Sequence, residues 1–148
     1  MISKQVKDLF YPVPYPKCLT GLVNVKFCLL KSKYFGRYSI AYIELNEIDD
    51  LHNNINIFRS EIAKITKAIW LFREVGVFII IRVKNRIPKE MALESLVDKT
   101  GFHSVIIQGI CLVNENDQRF AQSKWFKHSF GDSNQILNKL GSFRSKLS

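Results

Sequence analysis

A chain of 148 residues with 47% hydrophobic and 24% charged side chains has the balance of a folded globular protein, which excludes an intrinsically disordered one. No run approaches the ~20 apolar residues of a membrane span, and Lys4, Lys7 and Asp8 interrupt the N-terminal stretch that a secretory leader would need. The net charge of +9, with seven basic residues against Asp8 alone in residues 1–37, favours an acidic protein or a nucleic acid as partner without choosing between them.

In chain order, Ile2, Val6, Leu9 and Phe10 recur at helical spacing and predict a short amphipathic helix. Pro12, Pro14 and Pro16 lack amide donors and force extended backbone on their predecessors, so an arm running to residue 16 follows. Residues 22–30 and 38–45 alternate apolar and polar side chains, as two strands joined by a hairpin over residues 31–37. Asn53 or Asn54 then caps the longest predicted helix. Its stripe of Ile55, Phe58, Ile62, Ile65, Ile69 and Phe72 extends it to Gly76.

Residues 77–81 are unbroken apolar, mostly β-branched, and read as a central strand buried on both faces. Pro88 suits the first turn of a second helix ending at Gly101, with a fourth strand over residues 104–113. Together these make a right-handed parallel strand–helix–strand crossover. Asn114, Glu115, Asn116 and Asp117 signal a turn into a polar edge strand over residues 119–130. Asp132 caps a last helix that docks through Ile136, Leu137 and Leu140 and stops at Gly141, leaving a basic, mobile tail over residues 142–148. The expectation is one α+β domain over residues 1–148, with a mixed sheet of about five strands and three or four helices.

Chemistry is sparse. Cys18, Cys28 and Cys111 form no CxxC unit or zinc spacing. The latter two sit in apolar runs, where free cysteine packs as a small hydrophobe. Free thiols suit a reducing, cytoplasmic setting. Neither a phosphate-binding glycine loop nor a nucleophile elbow is present, and no metal or cofactor is expected. Glu44, Glu47, Asp49 and Asp50 are the one acidic cluster, read as a partner-binding patch because no second carboxylate–lysine set completes a metal nuclease. Lys31, Lys33, Tyr34 and Arg37 in the hairpin, with Arg82, Lys84 and Arg86 after the central strand, are the candidate nucleic-acid contacts, combining phosphate neutralisation with an aromatic platform. His128 with Lys124 is the candidate pair for a metal-independent ribonuclease, in which histidine moves the proton of the 2′-hydroxyl.

A small domain with charged patches and no reaction centre is expected to act by binding. The leading reading is a non-catalytic protein that blocks a protein partner, such as the immunity or antitoxin partner of a bacterial toxin. Abundant isoleucine, lysine and asparagine, whose codons are AT-rich, lean the same way. RNA or DNA binding and ribonuclease activity follow in that order.

Overall fold

The computed structural model describes residues 2–11, 17–33, 36–98, 103–123 and 133–144. Its centre is a six-stranded mixed sheet in the order β1-β2-β3-β4-β5-β6, an α+β fold with three α-helices among the described residues. The strands are β1 (Lys17–Leu19), β2 (Val25–Lys33), β3 (Gly36–Leu45), β4 (Val75–Val83), β5 (Val105–Val113) and β6 (Gln118–Gln122). β3, β4 and β5 run parallel, and every other neighbouring pair is antiparallel.

The apolar run at residues 77–81 lies in β4, which is paired on both sides and buried except for half-buried Arg82. Alternation splits its side chains between two cores. Val75, Val77, Ile79 and Ile81 face one, with Leu51, Phe58 and Ile62 of helix α2 (Leu51–Thr66). Phe78 and Ile80 face the other, with Val6 and Phe10 of α1 (Ile2–Phe10) and Ile136 and Leu140 of α3 (Ser133–Arg144). Helices therefore cover both faces of the sheet, as its parallel strands require.

Several expected boundaries are corrected. The long helix does not reach Gly76. It ends at Thr66, where Lys67 adopts a left-handed φ of 50°. The amides of Lys67 and Ala68 then return to the carbonyls of Lys64 and Ala63, at 3.3 and 2.9 Å, closing a Schellman motif without its usual glycine. Residues 84–98 contain no α-helix, only a 3-10 turn at Leu93–Ser95. The Pro88 carbonyl accepts the Met91 amide at 3.4 Å, the three-residue closure of a turn rather than the four-residue one of an α-helix, and also takes the Arg119 guanidinium. The helical crossover is consequently β3–α2–β4, and the parallel β4–β5 connection is irregular. Finally, Gly141 does not stop α3, which continues through it to Arg144.

The long helix also starts earlier, at Leu51, so Asn53 and Asn54 lie inside it and do not cap it. β2 runs on to Lys33 and β3 starts at Gly36, which puts Lys31 and Arg37 in strands and not in the connecting loop. The expectations that follow match. The first helix spans Ile2–Phe10, the turn after β5 is held by Asn114 Oδ1 accepting from the Asn116 and Asp117 amides at 2.9 and 2.7 Å, and β6 lies at the end of the sheet. The three-residue β1 was too short to show in the alternation. Pro12, Pro14, Pro16, Asp132 and residues 145–148 lie outside the described residues. No described helix is long and apolar enough to cross a membrane.

Cys28 and Cys111 are buried, and burial pushes both thiols up to about 12, while Cys18 is half-exposed. Near pH 8 only about one in ten thousand of either buried side chain is thiolate, the nucleophilic form. An aromatic disulfide reagent is therefore expected to titrate one thiol in the native protein, that of Cys18, and all three in denaturant.

Candidate functional site

The parallel register places the candidate residues at opposite ends of the sheet. Arg37 pairs with Val75 and Glu44 with Arg82, seven residues further along, or about 23 Å at strand rise. The basic residues grouped by sequence therefore form two separate sites.

At the carboxyl end, the acidic and basic candidates meet. Glu44 accepts a 2.9 Å bond from the Tyr42 hydroxyl beside Arg82. Burial, reinforced by Glu44, raises the Tyr42 pKa well above its ordinary value, and Arg82 partly offsets this. Glu47 accepts from Asn85 Nδ2 at 2.5 Å, and Asp49 is exposed. Arg82, Lys84 and Arg86 line a groove of about 600 Å³ with Lys89 and Arg119. Among the described residues, no group of three or more potential metal ligands clusters.

The hairpin lies at the amino end. There Arg37 is turned to structural use. Its guanidinium donates to the Thr66 carbonyl at 2.6 Å and also to that of Arg73. These two carbonyls bracket the segment that the sequence had assigned to the end of the long helix. Burial and the like charge of Arg73 lower the Arg37 pKa, yet a guanidinium stays charged at neutral pH. Tyr34 and the side chains of Lys33 and Asp50 lie outside the described residues, as do Lys124 and His128. His52 is exposed on the first turn of α2.

The feature that sequence reasoning missed is the bracketed segment itself. Ile69 and Arg73 form an isolated antiparallel bridge, with amide–carbonyl distances of 3.2 and 2.8 Å, around a three-residue tip. In this tip Trp70 is 43%, Leu71 67% and Phe72 83% exposed. The Phe72 amide closes a turn on the Ile69 carbonyl at 3.3 Å, and Leu71 takes its third position at a φ of 70°, where such turns ordinarily use glycine. Its amide is held by Glu74 Oε1 at 2.8 Å. Ile65 and Ile69 extend the apolar surface down to the sheet, and Lys64, Lys67 and Arg73 are exposed around it. The signal was legible: four consecutive apolar residues, Ile69 to Phe72, do not fit a helix that buries a single stripe.

Arg37→Ala removes both of the guanidinium's bonds to the base of this tip. It is expected to cost about 1–2 kcal/mol in urea unfolding, given the half-exposed setting, and to accelerate amide exchange at Ile69 and Arg73. Unchanged exchange would show that the clamp does not hold the tip.

The third polar centre is structural. Asp98 takes both Arg59 Nη atoms at 2.9 and 3.0 Å and the Ile107 amide at 2.7 Å, with His103 Nε2 at 3.7 Å. Its oxygens are committed to joining α2, the β4–β5 connection and β5. Comparison of the chain with protein-family models, curated proteins and solved structures finds no match.

Proposed function

We propose that this chain acts by binding a protein partner through the tip at residues 69–73, without catalysis of its own. One observation carries the reading: three large apolar side chains are displayed to solvent on a turn that the fold takes pains to fix. Isolated exposed apolar residues are ordinary, but a contiguous group of them marks an interaction surface. Leucine in left-handed backbone costs about 1 kcal/mol relative to glycine. A sequence that keeps leucine there retains a side chain at the expense of local stability.

Trp70 and Phe72 are residue types that anchor interfaces, and a pre-formed turn spares the ordering cost of association. The shape calls for an apolar pocket on the partner. The surrounding Lys64, Lys67 and Arg73 call for carboxylates at its rim, since complementary potentials speed encounter and fix orientation. A lipid surface, being fluid, gains little from a rigid turn, which favours a protein. Neutralisation of a toxin, as by an immunity or antitoxin protein, is the form of this reading in which occupying the partner's surface is the whole activity.

The test places a photoreactive amino acid at position 72 in cells of the source organism. The expected result is one recurrent cross-linked protein, competed by wild-type chain but not by Phe72→Asp, that re-forms a complex with the chain when both are purified. Cross-linking to lipid, with binding to anionic vesicles that Phe72→Asp abolishes, would overturn the reading in favour of a membrane. Competition by the variant as effective as by wild type would remove the tip from the interface.

A further inference from the structure

The groove at the other end of the sheet has a different chemistry. It lies where parallel strands β4 and β5 end, beside the turn into β6. The exits of β4 and β5 line it, tied to each other, and the exit of β3 braces the first. The amides of Lys84 and Asn85 bond to the carbonyls of Leu45 and Asn46 at 2.9 and 3.3 Å. Asn114 Nδ2 reaches the Asn85 carbonyl at 3.4 Å. Arg119 spans from Asp117 Oδ2, at 3.0 Å, to the carbonyls of Ile87 and Pro88. The frame is therefore fixed without the side chains of Lys84, Arg86 or Lys89, all of which are exposed.

We propose that this groove binds a chain of linked phosphates, either free or as the tail of a nucleotide. Five cationic side chains line it against the two carboxylates of Glu115 and Asp117, and Asp117 is already paired with Arg119. Arg82 stands beside Glu44 and Arg119 is paired with Asp117. That leaves Lys84, Arg86 and Lys89 without an ion pair among the described residues, a set that calls for a polyanion rather than a single carboxylate. Its volume of about 600 Å³ admits a small molecule of nucleotide size. Among the described residues no aromatic side chain lines it as a stacking platform of the kind through which proteins hold single-stranded nucleic acid. Guanidinium and ammonium groups supply charge-assisted bonds to phosphate oxygens, and the rigid rim limits the ordering that binding requires. This site is independent of the apolar tip, and either can fail without the other.

Calorimetric titration with tripolyphosphate and with ATP at low salt tests it. Both are expected to bind, with affinity falling as salt rises. Lys84→Glu combined with Arg86→Glu, two exposed positions outside the frame, is expected to weaken both by at least about tenfold at unchanged thermal stability. The matched variant Lys64→Glu with Lys67→Glu, at the opposite end, is expected to leave both intact. Tighter binding of ATP would assign the nucleotide as the source, and equal binding the free chain. The proposal is overturned by no heat of binding at low salt, or by equal losses in the two variants, which would reduce the effect to net charge. Decauridylate that binds more tightly than tripolyphosphate and is weakened by the same Lys84→Glu, Arg86→Glu pair would also overturn it, by assigning the groove to RNA.

Discussion

Replacing Asp98 by alanine is expected to destabilise the fold by about 3 kcal/mol, read as a lower urea midpoint at unchanged slope. The carboxylate is 11% exposed and its Arg59 partner 29%. Without Asp98, the guanidinium keeps only its 3.0 Å bond to the Val105 carbonyl. A charge left partly buried and unpaired costs more than the pair contributed. The Ile107 amide loses its 2.7 Å acceptor as well. The same residue anchors the chain by its backbone, since the Asp98 amide donates to Ile107 at 2.9 Å and the Asp98 carbonyl accepts from the Ser123 hydroxyl. Asp98 thus ties the β4–β5 connection to β5 through both its side chain and its backbone. Asp98→Asn keeps an acceptor without the charge and is expected to lose about half as much. A loss below about 1 kcal/mol for alanine would mean that water replaces the carboxylate at no cost.

How far the sequence disclosed this structure depended on the range of the interaction. Strands β2 to β5 were visible because burial of one or both faces writes itself into consecutive residues, as at Ile79, Ile80 and Ile81. The turn at Asn114 was visible because an asparagine side chain acts on amides two and three residues away. The end of α2 was not. It rests on Lys67 in left-handed backbone and on Arg37, which lies twenty-nine residues from the Thr66 carbonyl it binds. The stripe through Ile65, Ile69 and Phe72 continued the helical rhythm past a break that only tertiary contacts impose. Likewise, nothing near Pro88 announces that its carbonyl will also hold the Arg119 guanidinium, thirty-one residues away.

The candidate sites divide the same way. Composition pointed to charged surface, and charged surface is there. The strand register, which the sequence does not state, decides that Glu44 stands beside Arg82 and that Arg37 stands at the far end. The acidic cluster consequently shares its surroundings with cations instead of forming a field of one sign, and Glu44 and Glu47 each accept a side-chain hydrogen bond within the fold. The apolar tip was hidden because its residues were assigned to a core stripe. Its exposure follows from the early end of α2.

The most direct measurement compares the purified partner's affinity for the native chain and for Leu71→Gly combined with Phe72→Asp. Glycine relieves the left-handed strain at position 71, and aspartate at position 72 replaces a side chain that is 83% exposed. The variant is expected to unfold at the same urea concentration as the native chain or a slightly higher one. Its affinity is expected to fall by more than about a hundredfold, the scale of losing a central interface anchor. An equally stable variant that binds as tightly as the native chain would show that the tip is not where the partner docks.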